Sequence, residues 1–312
     1  MKRHGNVFQG KTDMLATTIA DFVKDGNSLL SCLRVASDAL MAHTQFQHYT
    51  SFTRALQILK HRRIWLTCGN SEKLNDQIEW QKYGPSKKYW KNIFQASFSY
   101  GTAEHAFMWY AYGPKNHQSV RLSIPAEAMG KWRETVKGLK GSTLRIMDAK
   151  KPDAQGDDKR VVTVADADIH DILYLAVDDK DRYGRKRQNC VAWDVARQHF
   201  PTLPDDIRDP NLAGWIKDYE WRAEQETRIR VLVKPQHGKV DYVALPIPEN
   251  VLAKFSITFG PWATEEEIKA MKAQLKTALA GSAMDADKPV KFCKDFFKRS
   301  FLFGALKQWE AR

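Results

Sequence analysis

Cysteine is scarce in this chain and scattered where it occurs. Cys32, Cys68, Cys190 and Cys293 form no Cys-x-x-Cys pair, which argues against both a zinc cluster built on cysteine and a disulfide framework. No apolar run approaches the roughly 18–20 residues that cross a bilayer as a helix. The start, Met1-Lys2-Arg3-His4-Gly5-Asn6, has basic residues but no apolar stretch after them, so a secretory signal is not expected. These absences predict a cytoplasmic protein with no membrane partner. Several chemistries are missing as well. There is no Gly-x-x-x-x-Gly-Lys-Ser/Thr loop, no Gly-x-Gly-x-x-Gly fingerprint, no His-Glu-x-x-His and no Gly-x-Ser-x-Gly elbow, which disfavours P-loop, Rossmann, zincin and α/β-hydrolase readings. His61, His105 and His117 are too isolated to predict a metal site.

What is plentiful is positive charge and aromatic surface. The 312 residues carry 49 Lys and Arg against 37 Asp and Glu, a formal +12, with 43% hydrophobic residues and ten Trp. The apolar content is enough for a large core and too high for general disorder. The basic excess points to polyanions, nucleic acid first among them. From Arg54 to Lys91 there are nine Lys or Arg against three Asp or Glu, interleaved with Trp65, Trp80, Tyr83, Tyr89 and Trp90. Cations hold phosphates and aromatic faces stack on unpaired bases. The same mixture also serves ordinary helix packing. A second basic cluster is Lys180, Arg182, Arg185, Lys186 and Arg187.

Periodicity predicts short strands and separated helices, an α+β chain rather than a doubly wound parallel sheet. Residues 14–41 read as one or two helices. Gln47–Thr50 reads as a strand end, Phe52–His61 as a helix and Ile64–Thr67 as a strand. Alternating or apolar segments follow at Phe94–Tyr100, Ala106–Tyr112, Ser119–Ile124, Ile169–Val177, Arg228–Val233 and Phe255–Gly260. Charged loops are expected at 147–160 and 178–189. Thr264 and Glu267 have capping-box spacing ahead of a helix. After a polar linker, Gly281–Asp287, the spacing of Phe292, Phe296, Phe297, Phe301 and Leu302 predicts an amphipathic helix. The predicted division is 1–45 as an N-terminal helical segment, 46–280 as the main domain and 281–312 as the C-terminal helix, a handle for an antitoxin or chaperone or else a closing element of the core.

Three patches carry candidate chemistry: His48-Tyr49-Thr50 with Asn75-Asp76; Met108-Trp109-Tyr110 with Tyr112; and Trp221, Glu224, Glu226 and Arg228 at a strand entry. In order and spacing this set resembles a bacterial family known as domain of unknown function 2971, over about residues 46–275. Gln77 stands where that family usually has a proline after Asn-Asp. More distantly the arrangement resembles the ADP-ribosyltransferase superfamily, a split β-sheet core around NAD.

That resemblance implies an NAD-dependent ADP-ribosyltransferase, a toxin-like or phage-defence effector that modifies nucleic acid, RNA favoured. NAD is implied as a substrate, and no metal is needed. Glu226 is the implied catalytic carboxylate, with Glu224 in reserve or orienting the substrate. His48, implied as catalytic too, stands with Tyr49 and Thr50 at the cofactor. Trp65 and Tyr110 both qualify to stack on nicotinamide, and Asn75-Asp76 either contacts NAD or forms a turn and helix cap. A solvated Glu-x-Glu-x-Arg strand face is the plain alternative for the acidic pair. The alternative function is a non-catalytic nucleic-acid-binding module on the same fold. A nuclease ranks below both, for want of paired acidic metal ligands.

Overall fold

The computed structural model describes residues 43–72, 74, 79, 87–101, 104–113, 118–148, 160–176, 191–192, 213–236, 238–280 and 296–300. The helices expected at 14–41, the basic cluster Lys180–Arg187 and the linker at 281–287 lie outside these residues.

The chain enters through β1 (Gln45–Ser51) and turns into α1 (Phe52–His61). Ser51 caps this helix, its Oγ accepting from Arg54 N at 3.2 Å, and Arg62 ends it in the left-handed region at φ 53°. Phe52, Ala55, Ile58 and Leu59 form its buried stripe. β2 (Arg63–Cys68) follows, then α2 (Lys87–Trp90), β3 (Ile93–Tyr100), α3 (Ala106–Tyr112) and β4 (Ser119–Pro125). Next come α4 (Ala126–Lys137), β5 (Thr143–Met147), β6 (Val161–Asp171), β7 (Leu173–Ala176), β8 (Val191–Ala192) and β9 (Ile216–Asp218). A 3-10 turn at Tyr219–Glu224 leads into β10 (Glu226–Val233), followed by β11 (Tyr242–Pro246), α5 (Glu249–Leu252), β12 (Ser256–Phe259), α6 (Glu265–Ala280) and β13 (Phe297–Arg299).

The result mixes helices with a largely antiparallel sheet of ten strands, in the order β10-β6-β5-β11-β2-β3-β1-β4-β12-β13, with β10 also paired to β3. That extra pairing closes β3, β10, β6, β5, β11 and β2 into a ring, and leaves β1, β4, β12 and β13 as a wing hung from β3. Alternation decides which residues fill the ring. Ile229, Val231 and Val233 of β10 join Phe94, Ala96 and Phe98 of β3 in the core, which continues to Val120, Leu122 and Ile124 of the wing. α4 packs on it through Met129, Trp132 and Val136, the Trp132 indole donating to Pro246 O at 3.2 Å. Burying each such side chain stabilises the fold by roughly 1.5–3 kcal/mol.

The capping box forms as spaced: Thr264 N donates to Glu267 Oε2 at 2.7 Å, and Glu267 N to Thr264 Oγ1 at 3.2 Å. Two expectations are corrected. Ala106–Tyr112, grouped above with the strand-like segments, is a helix that buries Met108 and Trp109. The stripe expected as a C-terminal helix contains a strand instead: Phe297–Arg299 pairs in parallel with Ile257–Phe259. Phe296 and Phe297, adjacent in sequence, pack edge-on at 4.9 Å while Phe297 also lies over Phe259. The continuation at Phe301 and Leu302 lies outside the described residues. Among the described residues, no helix is long and apolar enough to cross a membrane.

Candidate active site

β3 is shared by two strands that part along its length. β1 meets its end at Phe46↔Tyr100 and Gln47↔Ser99, while β2 meets its beginning at Thr67↔Gln95 and Cys68↔Phe94. Between those contacts the sheet forks, and His48 crosses the gap, donating from Nδ1 to Ser97 O at 2.9 Å. A cavity of ≈ 210 Å³ occupies the fork, lined by His48, Tyr49 and Thr50 of β1, Ile64, Trp65 and Thr67 of β2, Gln95–Ser99 of β3, and Glu224 and Glu226. Because consecutive residues of β1 and β3 both line it, the cavity passes between the two faces of the sheet. Gln95 Oε1 and Ser99 Oγ are buried in its wall without a hydrogen-bond partner. Buried polar atoms are nearly always paired, so these two are open to a water or to a bound molecule.

A continuous chain of buried ions backs this wall. Arg228 donates to Glu226 Oε1 at 2.7 Å and Oε2 at 3.1 Å, and clamps Glu79 at 2.5 and 3.1 Å. Ser97 Oγ donates to Glu226 Oε1 at 2.5 Å. Lys217 Nζ joins the two acidic residues, 2.5 Å from Glu224 Oε2 and 3.2 Å from Glu226 Oε2, and lies 4.7 Å over the Trp221 ring. Tyr112 donates its hydroxyl to Glu224 Oε1. Two backbone features assemble the cluster. Gly214, at φ +83°, sets its carbonyl 3.0 Å from Arg228 Nη1. Gln225, between the two glutamates, sits in the left-handed region at φ 47°. For a residue with a Cβ that conformation costs about 1–2 kcal/mol.

The environments of the two glutamates separate their chemistry. Burial opposes charge on Glu226, but Arg228 and then Lys217, with the bonds from Arg228 and Ser97, outweigh it and hold the carboxyl down at about 2. Glu224 moves the other way: burial raises it, and the charge of Glu226 adds to this against the pull of Lys217. Burial would lower Lys217, yet Glu226 and Glu224 keep the ammonium charged well above its usual range. Burial, with a smaller push from Arg54, lowers the His48 imidazole to about 4 against the bond to Ser97. At neutral pH His48 is therefore uncharged, with Nδ1 as donor and Nε2 as acceptor.

Most of the sequence-predicted residues converge here. Glu226, Glu224, His48, Tyr49, Thr50 and Trp65 all line the cavity. The Tyr49 hydroxyl donates to Gln47 Oε1 at 2.9 Å, and Trp65 also packs against Tyr242. Tyr110 does not reach the cavity; its ring packs edge-on against Trp262 at 5.2 Å, and Tyr112, two residues on, is the tyrosine at the site. Asn75 and Asp76 lie outside the described residues. The acidic pair is not a solvated strand face: Glu224, Glu226 and Arg228 are all buried. Sequence reasoning missed Gln95, Ser97, Lys217 and Glu79. The only available signal was a run of polar side chains at every second position, Gln95-x-Ser97-x-Ser99, on an otherwise apolar strand.

No family model matches the chain, nor does any curated protein. Two solved structures of DarT from Thermus sp. 2.9, one in complex with NAD+ and one with carba-NAD+, align with 82% of this chain and 98% of their own at 13% identity, with TM-scores of 0.30 and 0.29.

Proposed function

We propose that this chain is an NAD-dependent ADP-ribosyltransferase built on a split-sheet core, the fork between β1 and β2 being the split. The observation that carries the reading is Glu226: a buried carboxylate, kept ionised by Arg228 and Lys217 and oriented by Ser97, standing in the wall of a cavity that Gln95 and Ser99 of the neighbouring strand also line. Cleaving the bond between nicotinamide and ribose develops positive charge at the anomeric carbon, as glycoside cleavage does. A fixed anion beside that carbon stabilises the transition state without reorganising. Ser99 and Gln95 offer partners for hydroxyl or amide groups of the donor, neutral His48 and Thr50 bond the adenosine ribose, and Trp65 supplies the stacking face. The ordered motifs that resemble domain of unknown function 2971 are read in the same way. The acceptor we favour is nucleic acid, on the strength of the +12 charge.

The test is nicotinamide release from NAD by the purified chain, with and without single-stranded RNA or DNA. Transfer to nucleic acid that weakens steeply with salt is the expected result. Salt-insensitive modification would point to a protein acceptor. Nucleic-acid binding with neither NAD binding nor turnover would replace the transferase by a binding module.

A further inference from the structure

From the position of Lys217 between Glu224 and Glu226 we infer that it is a specificity-determining residue, restricting the acceptor to an uncharged N–H or O–H nucleophile and excluding a guanidinium. The inference rests on the transferase reading above. Two adjacent carboxylates with nothing between them would form a fork for an arginine side chain, which binds carboxylates through paired N–H bonds. Here the fork is already filled. Lys217 Nζ takes one oxygen of each glutamate, Ser97 and Arg228 take Glu226 Oε1, and Tyr112 takes Glu224 Oε1. Each of the four oxygens has a donor. A third cation brought to this pair would meet Lys217 and Arg228 at close range, and like charges in a buried site repel strongly.

An uncharged acceptor meets no such barrier, but it must lose a proton, and Glu224 is placed to take it. The bond from C1′ to nicotinamide breaks with its electron pair going to the ring nitrogen, which leaves as neutral nicotinamide. The acceptor nitrogen or oxygen forms the new bond to C1′, and its proton passes to the Glu224 carboxylate. Glu226 stays ionised throughout. The opposite displacements of the two carboxyls, Glu224 upward and Glu226 downward, fit this division between proton acceptor and fixed anion.

The full chain is incubated with NAD and either agmatine, as a free guanidinium, or guanosine and thymidine, as uncharged acceptors, and adducts are resolved by mass. The wild type is expected to leave agmatine unmodified while it turns over NAD. Lys217→Gln is expected to gain agmatine modification by roughly ten-fold or more over the wild type, the low end of the range over which pocket contacts discriminate substrates, and Lys217→Arg, which keeps the charge, is expected to keep the exclusion. Agmatine modified by the wild type as well as or better than the nucleosides would overturn the inference, as would a folded Lys217→Gln variant that gains nothing. Lys217→Met is the second variant should glutamine prevent folding, and the wild-type comparison stands independently of either. Failure of this inference with NAD turnover intact leaves the transferase reading in place; the lack of any NAD turnover, water included, removes both.

Discussion

Ser97 and Glu226 meet on a diagonal of the β3–β10 ladder. The residues directly opposite one another are Ser97 with Arg228 and Ser99 with Glu226, yet the Ser97 hydroxyl reaches Glu226 Oε1 at 2.5 Å. The diagonal ties the ring's shared strand to the carboxylate and leaves Ser99 Oγ facing the cavity.

Glu226→Gln keeps the side chain's shape and removes its charge. NAD turnover is expected to fall by about two or more orders of magnitude, roughly 3 kcal/mol of transition-state stabilisation, with NAD binding little changed. Ser97→Ala removes one donor to the anion and should cost about ten-fold. It should also move the acid limb of turnover to higher pH, because Ser97 helps to hold Glu226 down. Near-wild-type turnover by folded Glu226→Gln, confirmed by its unfolding transition, removes Glu226 from the reaction.

Arg228 touches two buried carboxylates, Glu226 and Glu79. Replacing it by Met leaves both without their main counter-charge. Removing one partner of a buried pair typically costs about 3–5 kcal/mol, so Arg228→Met should lower stability by at least that much in urea unfolding. Glu79→Gln, which leaves the Arg228–Glu226 bonds in place, should cost less. Equal losses for the two variants would mean that Glu79, not Glu226, accounts for the burial of Arg228.

These contacts also mark where the sequence could be read and where it could not. The helix Phe52–His61 was legible because its apolar stripe and Ser51 cap are local, and the glutamates were legible because Glu-x-Glu-x-Arg falls at a strand entry. Lys217 was not, because nothing local separates a buried lysine from a surface one; what buries it is a pair of carboxylates brought close by the turn at Gln225. Glu79 was beyond reach for a related reason, since its partner Arg228 lies 149 residues away. Tyr110 and Tyr112 stand on one seven-residue helix, too short for periodicity to say which of the two faces the cavity. The fork itself follows from β3 pairing with three strands, a non-local property that no strand's own composition encodes.

His48 provides a pH test. Its ring sits near 4 in the folded chain against an ordinary value of 6.5. Below 6.5 the unfolded chain takes up a proton that the folded one refuses. The contribution of neutral His48 is therefore complete above pH 6.5 and is lost as pH falls toward 4. Allowing for the ring's partial exposure, the loss should be on the order of 1 kcal/mol by about pH 5. Urea midpoints at pH 7.5 and 5.0 should converge less for the wild type than for His48→Gln, which has no proton to gain. A variant with the same pH dependence as the wild type would show that the imidazole is solvated.

The C-terminal segment admits an equally direct test. Ile257 N donates to Phe296 O at 2.7 Å, Phe297 lies over Phe259, and Ser300 donates its hydroxyl to the buried Glu104. Glu104 in turn accepts from the Trp109 indole at 3.3 Å and pairs with Arg121 at 3.5 Å, and Arg121 reaches Gln47 of β1. Thus the strand closes the wing of the sheet and ends on a polar network that leads back to the cavity. A segment held ready only for an outside partner would leave its aromatic residues exposed, whereas Phe296 is 5% exposed. Phe296→Ala should therefore cost about 3 kcal/mol or more, the usual loss for a buried Phe. Truncation after Gly281 should uncover Ile257 and Phe259 together and give an aggregating chain with a lower thermal midpoint. A truncated chain that stays monomeric, unfolds cooperatively and turns over NAD would show instead that residues 282–312 serve a partner and that the wing is stable without β13.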